Sequence, residues 1–141
     1  VFLMAGALSL GTAMERTGLA DRLALGHIGL LGDLGPHAVL AGLYLITIAL
    51  TEVISNTATT VLVAPIAITA AEALGVSPYP FAVAVLIAAS AAYSTPVSTP
   101  VVTLVVEPGR YKFTDFVKIG SVMTLVVAGM TIFLAPLIYG F

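Results

Sequence analysis

The sequence contains no cysteine. Disulfides, Cys-ligated zinc, iron–sulfur clusters and thiol catalysis are therefore excluded together. Charge is nearly as scarce. Only 9% of the 141 residues are charged, where a soluble domain carries about a quarter, so an ordinary water-soluble globule is ruled out. Seven acids and five bases leave a net charge of −2 with no basic block, and the electrostatic footprint of nucleic-acid binding is missing. His27 and His37 are the only imidazoles, and neither stands near a matching pair of carboxylates. The sequence offers no nucleophile–base pair, metal cluster or cofactor motif, so neither an enzyme nor a cofactor is expected. Val1 opens the chain in mid-hydrophobic run, without an initiator Met or a basic leader. The reading expects a piece of a longer protein that lacks at least its N-terminal portion.

Apolar residues are what the chain has in abundance, at 60% of the total and a mean hydropathy of +1.14. Charges are spaced to leave long gaps. There are 34 uncharged residues between Glu72 and Glu107, 23 after Lys118, 19 between Glu52 and Glu72, and 18 between Asp33 and Glu52. Charge-free apolar runs of about 18 or more read as membrane-embedded helices. The expected class is an all-α integral membrane protein in contact with the lipid bilayer. Barrel strands do not fit, because a spanning strand alternates over about ten residues, whereas 61–71 and 83–92 are continuously apolar.

Five segments are expected. Residues 1–14 read as the end of a helix, followed by a surface turn marked by Glu15, Arg16, Asp21 and Arg22. Residues 19–32 are a short Gly-interrupted stretch, interfacial or partly crossing, closed by Gly35-Pro36. Residues 38–74 as one helix would run roughly 55 Å against a hydrocarbon core of about 30 Å, so the chain must double back. The turning point falls at Ser55-Asn56-Thr57, small polar residues suited to turns and caps. Interfacial charges and aromatic anchors are nearly absent around it, which favours a re-entrant hairpin with its tip held at depth. Residues 81–107 predict a helix broken at 95–100, where two Thr-Pro pairs remove backbone donors and push their predecessors out of the α region. Residues 119–139 predict a final transmembrane helix. Arg110, Lys112 and Lys118 place the preceding loop in the cytoplasm, so the hairpin enters from the outer face. Arg16 and Arg22 suggest a cytoplasmic turn as well, which leaves residues 19–35 without a settled position relative to the bilayer.

A hairpin tip and an interrupted helix, each with small hydroxyl residues and free carbonyls, form a constellation used by secondary transporters. Half-helix N-termini there face anionic groups, while unwound carbonyls coordinate sodium. Asn56 offers an oxygen to a small cation and an amide donor to an anion. Ser55, Thr57, Ser98 and Thr99 can donate to carboxylate or sulfate oxygens, as can amides at the start of the half-helix after Ser55. Taken singly, Ser, Thr and Pro are ordinary packing and kink residues of membrane helices. Two clusters of them inside charge-free runs are read as functional. Glu52 is open to two roles, a proton or sodium carboxylate or a partner for a group elsewhere in a longer protein. His27 and His37 are read as structural, and Gly6, Gly11 and Gly18 as points of close helix contact.

Thr51-Glu52-Val53-Ile54-Ser55-Asn56-Thr57-Ala58-Thr59, Ser94-Thr95-Pro96-Val97-Ser98-Thr99-Pro100 and the lead-in from Leu10-Gly11-Thr12 to Thr17-Gly18-Leu19 resemble the divalent-anion/sodium symporters, carriers of dicarboxylates, citrate or sulfate. The resemblance covers essentially the whole chain in the family's order and spacing. It implies a two-repeat, inverted-topology elevator carrier in a bacterial cytoplasmic membrane, with a dimeric scaffold and therefore a homodimer; this chain resembles the C-terminal part of the second repeat, and the N-terminal repeat of the same protein is its expected partner. It also implies a sodium site from Thr51, Ile54, Asn56, Ser98 and Pro100, mostly through carbonyls, and substrate contacts from Ser55, Asn56, Thr57 and Thr99. The coupling ion so implied is sodium, and the cargo a small anion. One departure is Val102, where many relatives carry Asn, so a polar side chain beside the site is lost.

The leading expectation is sodium-coupled symport of a divalent anion. A proton-coupled or uncoupled exchanger of the same fold, using Glu52 for protons, is the alternative within transport. A non-transporting membrane fragment or scaffold is the alternative outside it. A chain this short cannot enclose a two-sided site, so residues 1–141 expressed alone are expected to give no uptake in proteoliposomes, a result that uptake above empty vesicles would overturn.

Overall fold

Glycine and proline set most of the helix boundaries. The computed structural model describes residues 2–96 and 100–141, which form seven α-helices and no strand. Helices α1 (Phe2–Arg16) and α2 (Leu19–Leu31) are separated at Gly18, whose φ of 68° lies in the left-handed region that glycine adopts without a steric cost. A 3₁₀ turn (Gly32–Leu34) and Gly35 lead into α3 (Pro36–Thr51), with Pro36 at the first helical position, where its missing N–H is not needed. Helix α4 (Asn56–Leu74) starts at Ser55, whose hydroxyl accepts the Ala58 N–H at 3.4 Å, and stops at a left-handed Gly75. Helices α5 (Pro78–Ser90) and α6 (Pro100–Val106) both begin on proline, and α7 (Phe113–Tyr139) closes the chain.

The core sits among α3, α4 and α5. Val39, Leu40, Leu43 and Tyr44 of α3 meet Val63, Ala67 and Ala71 of α4 and Phe81, Ala84, Val85 and Ala88 of α5. Ala128 of α7 joins the same cluster. So many alanines bring the backbones close, the usual basis of helix packing where lipid is as apolar as the side chains. Helices α1 and α2 lie against α4, and α2 turns Ala20 and Ala24 inward. His27 fixes α2 to α3 through a 3.0 Å hydrogen bond from Nε2 to the Val39 carbonyl. Gly42 makes that approach possible: a Cβ there would meet Leu31 and would stand 2.8 Å from His27 Cε1. His37 packs its ring edge-on against Phe141, with centroids 4.7 Å apart.

Two of the described helices are long and apolar enough to cross a membrane, α4 with 19 residues and α7 with 27. At about 1.5 Å per residue, α3 and α5 reach only about 24 and 20 Å, less than the roughly 30 Å of a hydrocarbon core. Both end beside the start of α4.

Several boundaries differ from the sequence expectation. The break after α5 begins at Ala91, ahead of the expected 95–100, because Thr51 at the end of α3 and Glu52 just after it take the Ala89 carbonyl and Ser94 N–H that another helical turn would use. Residues 52–55 form that turn, and Asn56 and Thr57 already belong to α4 rather than to the tip. Helix α5 starts at Pro78 and not at 81, since proline is well suited to a first helical position. Helix α7 starts at Phe113 and not at 119, because the Asp115 carboxylate accepts the Lys112 N–H at 3.0 Å and caps a charged first turn. Helix α1 likewise runs on to Arg16.

The α2–α3 joint can be tested directly. His27→Ala removes one interhelical hydrogen bond and should destabilise by about 1 kcal/mol. Gly42→Leu must displace both His27 and Leu31 and should cost more, about 1–3 kcal/mol. Thermal unfolding of the detergent-solubilised full-length protein measures both, and unchanged melting in Gly42→Leu would contradict the close packing described.

Candidate functional site

The last carbonyls of an α-helix have no partner within it. At the end of α5 the Ala91 N–H turns back to Ala88, and the Ala89 carbonyl is taken instead by the Thr51 hydroxyl at 2.8 Å. Thr51 is the last residue of α3 and is fully buried. The same hydroxyl lies 2.9 Å from Asn56 Oδ1, on the first residue of α4. One hydroxyl carries one proton, so three oxygens from three helix ends share a single hydrogen. A cluster of neutral oxygens short of donors suits a small hard cation. Thr59, one turn along α4 from Ser55, is also fully buried, and its hydroxyl has no hydrogen-bond partner among the described residues.

Glu52 makes the second connection between turn and break. Its Oε1 accepts the Ser94 N–H at 3.0 Å, and its Oε2 accepts the Thr95 hydroxyl at 2.6 Å. The Glu52 carbonyl is 3.1 Å from the same hydroxyl. At the far end of the break, the Thr103 hydroxyl of α6 donates to the Pro96 carbonyl at 2.6 Å. Behind it, α7 presents Gly120. A Cβ on Gly120 would overlap the Tyr93 carbonyl and stand 2.7 Å from Ser94 Cα, so the bare backbone of α7 supports the break directly. Val102 lines an apolar cavity of about 390 Å³ between the break and α7, together with Tyr93, Phe116 and Gly120.

The start of α4 has the opposite polarity. Its first N–H groups have no partner within the helix, and its dipole places partial positive charge there. Ser55 is exposed at this end, and Asn56 and Thr57 are half-buried. Ile54 lies in the turn with its side chain exposed. The structure thus brings Thr51, Ile54, Ser55, Asn56 and Thr57 together at the junction of α3 and α4, with a direct Thr51–Asn56 contact. Ser98 and Thr99 lie outside the described residues, and Pro100 is the first residue of α6. Two participants escape a sequence reading. The Ala89 carbonyl is a backbone group with no residue-type signature, and Gly120 is one glycine in a long apolar run.

A charge-poor, all-helical chain whose interrupted segments meet at oxygen-lined helix ends has the form of a membrane transport protein. The model of the citrate transporter family, CitMHS, matches residues 1–141, and the chain belongs to that family. It is 44% identical over 141 residues to the uncharacterized transporter YfbS of Escherichia coli strain K12, covering 100% of this chain and 23% of that protein. It is 32% identical over 130 residues to sodium/sulfate cotransporter 1 of Chlamydomonas reinhardtii, covering 89% of this chain and 15% of that protein. Identity to the sodium-dependent dicarboxylate transporter SdcS of Staphylococcus saprophyticus is 29% over 144 residues, with 99% and 28% covered. The chain therefore spans between 15% and 28% of the length of these relatives. They are named as transporters, not as enzymes.

Thr51→Val keeps the shape of the side chain but leaves Asn56 Oδ1 and the Ala89 carbonyl without their donor. It should destabilise the full-length protein by about 1–3 kcal/mol, and Thr51→Ser should restore most of the loss. Gly120→Ala should cost a similar amount by pushing Tyr93 and Ser94 off α7. Calorimetric or dye-based melting curves check each variant, and a Gly120→Ala protein that melts like wild type would contradict the contact.

Proposed function

We propose that the full-length protein is a sodium-coupled symporter of divalent anions, dicarboxylate or sulfate, and that this chain supplies one of its two hairpin-and-break units. The observation that carries the reading is the meeting of Thr51, Asn56 Oδ1 and the Ala89 carbonyl between the start of α4 and the end of α5. Secondary transporters use this pairing of helix ends, N-termini toward anions and free carbonyls toward sodium. The sodium ligands proposed are Thr51, the Ile54 carbonyl, Asn56, Ser98 and Pro100. The anion contacts proposed are Ser55, Asn56, Thr57 and Thr99. Neither the turn nor the break contains Lys or Arg, so dipoles, hydroxyls and the co-bound cation hold the anion.

The names of the sodium/sulfate and dicarboxylate relatives support both the ion and the cargo class. On this reading α3 and α4 are a re-entrant hairpin. A first repeat of inverted topology supplies the other half of the site, the carrier works as a homodimer by an elevator movement, and its place is a bacterial cytoplasmic membrane. Proton coupling through Glu52 is the alternative within transport; its two carboxylate oxygens accept hydrogen bonds from the break.

The test is uptake of radiolabelled succinate, sulfate and citrate into proteoliposomes holding the full-length protein, with sodium or choline outside. Sodium-dependent uptake of at least one anion is expected. Asn56→Ala and Thr99→Ala should each reduce it about tenfold or more, a loss of about 1.4 kcal/mol in stabilisation. Uptake indifferent to sodium but driven by a pH gradient would overturn the sodium reading in favour of exchange with protons.

A further inference from the structure

An acid inside a charge-free apolar region is costly and is a functional residue by default, as a proton carrier, a cation ligand or the counter-ion of a base. Glu52 is the only acid between Asp33 and Glu72, and the Lys or Arg residues that flank it in sequence are Arg22 and Arg110. Its carboxylate faces the break after α5. Oε1 is committed to the Ser94 N–H at 3.0 Å and Oε2 to the Thr95 hydroxyl at 2.6 Å. These hydrogen bonds join residues more than 40 positions apart.

We propose that Glu52 is a positioning residue whose carboxylate ties the α3–α4 turn to the break after α5, and that it neither carries the coupling proton nor ligates the coupling cation. The inference rests on the transport reading above and assigns Glu52 a part in it. The neighbouring Thr51 holds Asn56 and the Ala89 carbonyl in one cluster, and Glu52 sets the separation of the two segments that carry them. Residues 93–95 are gripped from two sides, by the Glu52 carboxylate and by the bare backbone at Gly120. Without the carboxylate the break can still rest on α7, but its distance from Asn56 is no longer fixed. Affinity for sodium and anion should fall while the maximal rate persists.

Glutamine separates this role from the others. Its amide oxygen can still accept the Ser94 N–H, and its NH₂ can donate to the Thr95 oxygen once that hydroxyl turns its own proton to the nearby Glu52 carbonyl, 3.1 Å away. It cannot carry a proton, and it has lost the charge a cation would use. The experiment compares Glu52→Gln, Glu52→Ala and Thr95→Val in the full-length protein. Sodium and anion half-saturation and the pH profile of uptake are measured in proteoliposomes, and melting temperature is measured in detergent. The expected result is that Glu52→Gln stays within about threefold of wild type in half-saturation, with an unchanged pH profile. Glu52→Ala should raise both half-saturation values about tenfold or more, with maximal rate largely kept.

Equal damage from Gln and Ala, or a pH profile altered by Gln alone, would overturn the proposal. If wild-type protein shows no uptake at all, the transport reading fails separately and melting still decides the strut. A Glu52→Ala, Thr95→Val double variant that melts no lower than Glu52→Ala supports it, and fully additive losses overturn it. Should Glu52→Ala not fold, the same cycle is run with Glu52→Gln, where additivity is again the overturning result.

Discussion

No water reaches the middle of a bilayer to pair with a backbone group, so a helix that ends there must find its partners within the protein. On the proposed reading, that constraint governs the arrangement of this chain. The end of α3, the start of α4 and the end of α5 come together, and each supplies what another lacks. Thr51 answers the Ala89 carbonyl and Glu52 the Ser94 amide, while Ser55 caps its own helix at the Ala58 amide. The turn and the break are therefore mutually dependent. Neither would be tolerable in an apolar medium without the other.

The packing beneath the site follows from the same requirement. Hydrogen bonds of 2.8–3.0 Å between separate helix ends hold only if the helices behind them approach closely and reproducibly. Alanine at 67 and 71 of α4 and at 84 and 88 of α5 provides that approach, and Val39, Leu43 and Phe81 fill the space around it. Gly42 and Gly120 extend the principle to α2 and α7, where a single methyl group would displace a neighbour. The polar site is kept in register by a core of small residues, not by its own hydrogen bonds alone.

How much of this is legible in the sequence depends on the range of the interaction concerned. Helix type is a local and repeated signal, and the uncharged apolar runs give it clearly. The doubling back of residues 38–74 follows from length alone. Boundaries set across the fold are not legible. Proline chemistry acts within about a turn and points to 95–100, whereas α5 stops at Ser90 because Thr51 and Glu52, 38 and 42 positions away from their partners, claim the backbone there. The Thr51–Asn56 contact spans five positions and lies within one readable motif. The part played by Ala89 lies in a carbonyl, which every residue has, and that of Gly120 in a close approach no single-residue property announces.

The absence of a basic residue from the turn and break has a consequence for coupling on the proposed reading. Lys or Arg would attract a divalent anion whether or not a cation were present, and would weaken any dependence of one on the other. Helix dipoles and hydroxyls attract it only modestly. A cation held by neutral oxygens beside them supplies the missing charge, so each ligand improves the binding of the other by the same factor. Glu52 contributes to that balance through what surrounds it. A bare carboxylate would repel the anion, but one accepting the Ser94 amide and the Thr95 hydroxyl has part of its charge offset by donors of the break. On the proposed reading, the residue that ties the two segments together is thereby kept from opposing an anion bound between them.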